Sequence, residues 1–523
     1  EDRILIRYTL VDAHSATTLR FRPFLAFRSV RQFTHENMTA SREYQIVDNG
    51  IKTCMYAGYP DLYMQFSKKN EFIFMPDWYR GIEYPKEQER GYASNEDLYV
   101  PGYFEMPIRK GESIVFAAST SAAKSSQLKK LFDDEVALRL PRDNFYNILV
   151  TAAHQFHNRQ KNDDRYLLAG YPWFKARARD TFIAMPGLTL SIGERDYFEL
   201  VMKTAEKGLR EFMEEKPLSV KIYEIEQPDV PLWAIWAIQQ YVKDAGKDEG
   251  YKLYGKLVED IVDYIIKGGH PNLRLDENGL VYSDGHDKAV TWMNSTANGR
   301  PVVPRSGYIV EFNALWYNAL KFCAAMMADE GNQAKAEALE KRAALAKESF
   351  VETFVNEYGY LLDYVDGTNM DWSVRPNMIF AVALDYSPLS QQQMKSVVDI
   401  CTRELLTPKG LRSLSPKSGG YNPMYVGPQT QRDYAYHQGT AWPWLGGFYM
   451  EACLKLYKRS RLSFIERQMV GYEDEIDYHA IGTISELFDG NPPFHGRGAM
   501  AFAMNVAEIL RTLKLLEKYS YQK

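Results

Sequence analysis

The sequence predicts a β-sandwich-like domain followed by a large helical domain of the (α/α)6-barrel class, in which twelve helices surround a central pit. Three observations predict this fold. The first 118 residues are rich in short β-prone segments, about a dozen segments of helical period follow residue 140, and long aromatic loops separate those segments. The alternative for the second part is an irregular two-layer helical domain. A chain of 523 residues is long enough for two or three domains.

Residues 1–118 are expected to form the β-sandwich-like domain. Stretches rich in β-forming residues recur at 4–11, 18–24, 72–75 and 113–118, and turn sequences lie between them at 48–50 and 58–60. Residues 119–139 begin with the small, polar run STSAAKSSQ, which predicts a linker. The helical domain then occupies residues 140–523.

The helical domain is predicted from apolar periodicity. In 313–327, Leu315, Ala319, Phe322 and Met326 recur at helical spacing. Further helices are predicted at 229–241, 251–266, 334–354, 391–405, 440–458 and 498–516. The loops 275–307, 363–375 and 413–433 carry many aromatic residues. Because loops of this length in a compact domain are usually functional or disordered, and disorder does not suit the aromatics, we expect functional loops.

Composition excludes several classes of function. The formal charge of −5 comes from 63 basic and 68 acidic residues, without a basic run for nucleic acid and without an apolar run of about 20 residues for a membrane. The four cysteines form no CxxC pair, so neither a disulfide framework nor a zinc site is expected, and the cytoplasm is favoured. No motif predicts a cofactor. The chain opens at Glu1 in strand-like sequence without a signal peptide, so a native N-terminal portion is expected to be missing.

Aromatic residues make up 14% of the chain, with 36 tyrosines and 9 tryptophans. Tyrosine and tryptophan combine an apolar face with a polar tip, which suits a sugar ring with its apolar face and hydroxyl edge. The composition therefore indicates a carbohydrate ligand, and five local clusters develop that indication.

The first two clusters lie at predicted helix starts. In the first, Trp173 precedes the pair Arg179 and Asp180, where an aromatic ring to stack on a sugar stands beside two groups to bind its hydroxyls. Helix capping is the alternative role for Asp180. In the second, Asp229 precedes Trp233, and an N-cap followed by core tryptophans is the favoured explanation.

The next two clusters are aromatic loops. Trp292 lies in the polar loop that contains Asp284 and Asp287, where a ligand platform and a structural anchor are both open. Residues 432–444 combine two tryptophans, two tyrosines, a histidine and a glutamine. In that setting a sugar contact for His437 is favoured over a core histidine.

The fifth cluster is the segment GTISELFDG at 482–490. Glu486 lies there between glycine-rich and proline-rich breakers, in a stretch too apolar to be a solvated face. Glycoside hydrolysis needs two carboxyl groups on either side of the anomeric carbon, and no nucleotide-binding loop, HExxH helix or serine triad order competes with that interpretation.

Together, these motifs resemble the amylo-α-1,6-glucosidase module of glycogen debranching enzymes over about residues 165–515. The first 118 residues resemble the latter part of the N-terminal β domain of that family, through LRFRPFLAFR at 19–28 and EDLYVPGYF at 96–104. The anchors in the module are YPWF with RDTFIAMPGL at 171–188, TWM at 291–293, EFNALWYNAL at 311–320, RPNMIFAV at 375–382, GLRSLSP at 410–416, RDYAYHQGTAWPW at 432–444 and GTISELFDG at 482–490.

The resemblance implies a glucoamylase-like toroid preceded by an incomplete β-sandwich, and inverting hydrolysis of α-1,6-linked glucose in an α-glucan or oligosaccharide. Glu486 matches the general base of the family. It implies no metal and no cofactor. The expected sugar-binding residues are Trp173, Arg179, Asp180, Asp229, Trp292, Glu311, Asn313, Arg375, Asn377, His437, Gln438 and Trp442.

The departures from the family pattern concern the same pocket. The family reads TWMD, whose Asp is the general acid, and this chain has Asn294 in that place. An amide cannot donate that proton. Ala178, Phe502 and Met504 also replace the expected Gly, Gln and Trp. Two functions stay open: an active hydrolase with a substitute acid, for which Asp284, Asp287 and Asp477 are candidates, or a carbohydrate-binding relative without turnover.

Overall fold

The computed structural model describes residues 2–160 and 162–521, and the chain divides into two compact units, Glu1–Leu140 and Pro141–Lys523. The first unit contains two antiparallel sheets, with strand orders β1-β8-β5-β4-β3 and β2-β7-β6. Its elements are β1 (Arg3–Thr9), β2 (Thr17–Phe21), β3 (Tyr44–Val47), β4 (Gly50–Thr53), β5 (Leu62–Phe66), β6 (Glu71–Glu83), α1 (Pro85–Glu89), β7 (Asn95–Ile108), β8 (Ser113–Ser119) and α2 (Leu128–Ala137).

Aromatic side chains fill the space between the two sheets of the first unit. The ring centroid of Phe66 on β5 lies 4.9 Å from that of Phe104 on β7 and 5.0 Å from that of Phe116 on β8. Because inward-facing side chains of both sheets meet in one buried cluster, the unit packs as a sandwich.

Residues 119–139 do not form a linker. They contain a short 3-10 helix, Ser125–Gln127, and α2, whose Leu128 is fully buried against Val115 and Ala117 of β8. Leu128, Leu131 and Phe132 recur at helical spacing, so one face of α2 packs on the sheet. Because the preceding run STSAAKSSQ is small and polar, its composition predicted a linker and not this helix.

The second unit is mainly helical, as predicted, and its long loops contain short strands. Its helices are α3 (Phe145–Gln155), α4 (Ala178–Leu188), α5 (Arg195–Met213), α6 (Val230–Ala245), α7 (Lys247–Ile266), α8 (Val310–Asp329), α9 (Gln333–Phe354), α10 (Phe380–Ala383), α11 (Gln391–Ile400), α12 (Gln429–Ala435), α13 (Pro443–Tyr457), α14 (Leu462–Val470) and α15 (Ala503–Tyr521). Its strands are β9 (His157–Arg159), β10 (Arg165–Leu167), β11 (Gly170–Tyr171), β12 (Arg274–Leu275), β13 (Val281–Ser283), β14 (Thr296–Ala297), β15 (Arg300–Pro301), β16 (Gly307–Ile309), β17 (Tyr364–Asp366), β18 (Asn369–Met370), β19 (Leu406–Thr407), β20 (Gly410–Arg412), β21 (Ala441–Trp442), β22 (Leu487–Phe488), β23 (Gly496–Arg497) and β24 (Ala501–Phe502).

The helices of the second unit form a toroid. An inner ring is formed by α4, α6, α8, α10, α13 and α15 in that order. Each of these helices contacts the next, and α15 contacts α4, which closes the ring. Helices α3, α5, α7, α9, α11 and α14 each pack against a member of that ring. Within the described residues, no helix combines the length and apolarity needed to cross a bilayer.

Two glycines allow the inner helices to approach closely. A Cβ on Gly187 of α4 would lie 2.0 Å from the carbonyl oxygen of Ala507 on α15, and a Cβ on Gly447 of α13 would lie 2.6 Å from the carboxylate of Glu508. No side chain fits either contact without displacement of a neighbour. The ring therefore closes where α15 crosses these two positions.

We expect Gly187→Ala to destabilise the protein by roughly 2 kcal/mol, because the added methyl group meets backbone atoms that cannot rotate away. In an exposed helix the same change stabilises by about 1 kcal/mol. A loss of stability in Gly187→Ala would therefore identify the close contact with α15. Chemical denaturation followed by circular dichroism measures the difference. The matched control is Gly419→Ala, where nothing lies within 4 Å of the new Cβ. Equal stability of the two variants would contradict the packing argument.

Candidate functional site

The starts of the inner helices meet at one end of the toroid, and most of the predicted site residues lie there. At the start of α4, the Arg179 guanidinium donates two hydrogen bonds to Asp229 at the N-cap of α6, at 2.7 and 2.8 Å. Asp229 also accepts from Trp233 Nε1 at 3.1 Å, and all three side chains are buried. Since both carboxylate oxygens are engaged, Asp229 orients Arg179 and its part in binding is indirect.

Arg305 is the centre of a buried ion cluster at the start of α8. Its guanidinium binds both carboxylate oxygens of Glu311 and donates to Asp363 at 2.6 and 3.0 Å. Asn313 is engaged too, through Val281 N–H and C=O at 2.8 and 3.0 Å and Ile309 C=O at 3.1 Å. Protein groups thus already bind both side chains, and sugar binding by Glu311 and Asn313 stays a prediction.

Asn377 connects this cluster to the aromatic wall. Its amide donates to Asp363 Oδ1 at 2.7 Å and its carbonyl accepts from Trp292 Nε1 at 2.7 Å. The Trp292 ring then packs edge-on against His437, Trp442 and Trp444, at centroid distances of 5.2 to 5.4 Å. Asn377 thus fixes the ring of Trp292.

His437 is a buried neutral donor. Burial lowers its pKa well below the usual range, with Arg375 and Arg305 adding to the effect. Nδ1 accepts from the Ser295 N–H at 3.4 Å, which assigns the proton to Nε2. Nε2 has no hydrogen-bond partner among the described residues. A buried donor of this kind is suited to a ligand hydroxyl.

Arg375 joins His437 to Gln438. Its guanidinium donates to the carbonyl oxygen of His437 at 3.0 Å and to Oε1 of Gln438 at 2.8 Å. Burial lowers the pKa of Arg375, and Asp371 lies 3.7 Å from its Nε. Gln438 is partly exposed, so its amide nitrogen is the part of this group that faces a ligand.

Asp180 is buried at the third position of α4. Burial raises its pKa to about 6, against the opposing effect of Arg177 and Arg179. The capping alternative fails, because Arg177 holds the N-cap position of α4 and the helix has no side-chain cap. Trp173, half-buried, lies earlier in the same segment, and sugar binding by Trp173 and Asp180 stays a prediction.

Glu486 directly precedes β22, and its carboxylate lies in a closely fitting buried position. It is 2% exposed, and its Oε2 accepts the Ala499 N–H at 2.7 Å. Gly498 has a left-handed φ of 72°, and a Cβ there would lie 2.3 Å from the same oxygen. The Asn505 amide donates to the carbonyl oxygens of Ser485 and Glu486 at 2.7 and 2.8 Å. Gly498 therefore leaves room for the carboxylate, and Asn505 fixes the backbone that carries it.

Asn294 follows the buried Trp292 and Met293 and is partly buried. The next residue anchors it, since the Ser295 hydroxyl donates to the carbonyl oxygen of Asp433 at 2.6 Å and its N–H to His437. The structure thus places an amide, and not a carboxyl group, at the edge of the cluster formed by His437 and Trp292.

The three proposed substitute acids do not fit that role. Asp284, Asp287 and Asp477 are exposed. Hydrogen bonds from the backbone and the ring of His286 hold the pKa of Asp284 below its usual range, whereas a general acid needs a raised pKa. Burial instead raises the pKa of Asp180 and of Glu311.

Phe502 precedes α15 and Met504 lies at its start, where the family pattern leads us to expect Gln and Trp. These two residues make one wall of the site apolar. The Phe502 ring packs against Trp442 at 6.2 Å and against Phe174 at 5.9 Å, and Met504 beside it is buried. Trp442 also stacks on His437 at 5.5 Å with an interplanar angle of 15°.

Comparisons with known proteins assign the family. The model described as amylo-alpha-1,6-glucosidase matches residues 151–511, and the model described as glycogen debranching enzyme N terminal matches residues 1–115. The chain belongs to the amylo-alpha-1,6-glucosidase family. It is a family of glycoside hydrolases, and the match covers all of the residues that build the site.

Two individual proteins are similar to this amylo-alpha-1,6-glucosidase family member. The glycogen debranching enzyme of Saccharomyces cerevisiae is 27% identical over 232 residues, which are 36% of this chain and 15% of the yeast protein. The structure of a bacterial glucoamylase complexed with acarbose superimposes with a TM-score of 0.56 at 13% identity, over 91% of this chain and 74% of that one. The second likeness confirms the helical toroid.

The structure also contains residues that sequence inspection missed. Asp363, Asn505 and Ser295 support Trp292, Glu486 and Asn294, respectively. Asn505 had a visible signal, a polar side chain inside the apolar run AFAMNVAEIL. A separate cavity of about 590 Å³ lies where the inner helices end, lined among others by Pro186, Lys455 and Arg511, and it contains none of the predicted site residues.

We expect Asp180→Asn to stabilise this family member at neutral pH. Because the folded-state pKa lies above the ordinary 3.8, the parent loses stability as the pH rises towards about 6, and the neutral amide does not. The gain in unfolding free energy should grow by up to about 3 kcal/mol between about pH 4 and 7.

Denaturation of parent and variant at both pH values measures this gain, and Asp287→Asn is the control for the same change at an exposed position. A difference that does not vary with pH would show that the Asp180 carboxyl is not a destabilising buried charge.

Proposed function

We propose that this family member takes α-linked glucose of an α-glucan into an (α/α)6 barrel of six inner and six outer helices, with Glu486 as the general base. The position of Glu486 is the observation that carries the proposal, because its buried carboxylate accepts the Ala499 N–H and the Asn505 amide fixes its backbone carbonyl oxygen. Inverting hydrolysis requires a base of this kind to take a proton from the attacking water.

The polar groups available to the sugar are few and well placed. Ser295 N–H orients the His437 ring and Arg375 orients the Gln438 amide, so that the His437 Nε2–H and the Gln438 amide nitrogen have capacity for hydroxyl groups. The buried Asp180 carboxyl is the third group that we assign to the sugar. A site with buried polar groups discriminates against ligands that lack the matching hydroxyls. Trp442, Trp292 and Trp173 supply apolar surface beside them.

Asn294 sets the level of activity. Inverting glycosidases place acid and base roughly 6.5–9.5 Å apart, and the family acid position here carries an amide. Loss of general acid help costs typically about 10²–10⁴-fold in rate. We therefore expect slow hydrolysis of ordinary glycosides, with the α-1,6 linkage of a branch stub as the substrate that the family match supports.

The second candidate function is carbohydrate binding without turnover. Asn294 is the specific observation in its favour, since the binding network around it is complete while the proton donor is absent. The two candidates differ in one measurable respect, which is whether Glu486 still directs water at an anomeric carbon.

We expect the protein to hydrolyse α-glucosyl fluoride, because fluoride leaves without protonation and the reaction needs only the pocket and the base. Glu486→Gln should lower that rate at least about 100-fold. The matched control is Glu475→Gln, because the buried carboxyl of Glu475 accepts a hydrogen bond from the hydroxyl of Ser485, the residue before Glu486. Fluoride-ion release measures the rate. An unchanged rate in Glu486→Gln would exclude Glu486 as the base, and no release by the parent would leave the binding function.

We expect Asn294→Asp to gain hydrolysis of α-1,6-linked glucose by about 100-fold or more, because it restores a carboxyl group at the family acid position. Release of glucose from a branched oligosaccharide measures the gain, and Asn294→Ser controls for local disturbance. If the aspartate variant is no faster than the serine variant, the missing acid is not the cause of slow turnover.

A further inference from the structure

An exposed aromatic cluster lies on the loop that leads into the site. Trp372 is 43% exposed and is the most exposed of the nine tryptophans, while Tyr358 is 73% exposed. The centroids of their rings lie 6.3 Å apart, and Tyr360 stacks on Tyr358 at 6.4 Å with an angle of 17°. Three rings on one surface are costly to expose, and aromatic patches with polar rims mark interaction sites.

The loop is rigid where it presents these rings. The Tyr360 hydroxyl donates to the carbonyl oxygen of Trp372 at 3.0 Å, and Asn356 Oδ1 accepts the Tyr358 N–H at 3.0 Å. On the other side of Trp372, the Ser373 N–H donates to Asp371 Oδ1 at 2.9 Å. The rings are therefore pre-organised, which reduces the entropy cost of binding a flat partner.

The cluster is continuous with the candidate site. Asp371, adjacent to Trp372, lies 3.7 Å from Arg375, whose guanidinium binds His437 and Gln438. Polar groups border the aromatic cluster on the Tyr360 side, where Glu404 lies near Tyr360 and is paired with the exposed Lys417 at 2.9 Å. Apolar faces bordered by donors and acceptors match a glucose ring, which has an apolar face and a hydroxyl edge.

We propose that Tyr358, Tyr360 and Trp372 form a platform that binds the glucan chain outside the pocket. The proposal rests on the proposed function, because it takes the residue in the pocket to be part of a longer α-glucan. The ligand class is a neutral oligosaccharide whose glucose rings stack on these aromatic rings. A second protein is the competing occupant to be tested.

Glycogen affinity in native gels tests the platform. We expect Trp372→Ala and Tyr358→Ala each to raise the dissociation constant for glycogen roughly three- to tenfold, the effect of one lost ring contact. Trp372→Phe keeps a ring and should retain most of the affinity. Tyr521→Ala, which removes a tyrosine 81% exposed on α15, should bind glycogen as the parent does. Circular dichroism and melting temperatures confirm that the variants are folded.

The outcomes separate the platform from the pocket when the same proteins are assayed on α-glucosyl fluoride. If the alanine variants bind glycogen as tightly as the parent, or the parent is not retarded at all, the platform is overturned whatever the fluoride assay gives. If Trp372 governs glycogen binding but the parent releases no fluoride, the platform stands and the catalytic proposal fails. If the alanine variants instead change only the oligomeric state, the patch binds protein and the platform is overturned.

Discussion

The buried guanidinium of Arg305 is the constraint on which the site depends. It lies between the carboxylates of Glu311 and Asp363, and Asp363 in turn orients Asn377, which holds Trp292. Charges this deeply buried are tolerated only when paired, and removal of one partner typically costs about 3–5 kcal/mol. The cluster therefore fixes the segments of Arg305, Asp363 and Asn377 relative to one another. Through the hydrogen bond from Trp292 to Asn377, it also positions the loop that contains Asn294.

Sequence inspection predicted the architecture well because helical periodicity and ordered motifs are local signals. It placed Asp180, His437 and Glu486 in one site, and the structure brings the segments that carry them to the same end of the toroid. It did not reveal the protein partners of Glu311 and Asn313, since a sequence shows which polar groups are present and not which groups they bind elsewhere in the chain.

A network of hydrogen bonds supports the loops of the candidate site. Ser295, Asn377 and Asn505 hold the loops around Asn294, Trp292 and Glu486 with short hydrogen bonds. At the same time, Phe502 and Met504 make one wall apolar. These hydrogen bonds fix the loops of the proposed sugar pocket whatever the part of Asn294 in catalysis.

The glycines at which α15 meets α4 and α13 also bear on how the protein is made. Helices α4 and α15 are separated by about 300 residues, so their contact is among the most non-local in the chain. During translation the inner ring stays open, with apolar helix faces exposed, until α15 has left the ribosome. At typical synthesis rates of about 5–20 residues per second that interval lasts tens of seconds, long enough for chaperones to engage the nascent chain.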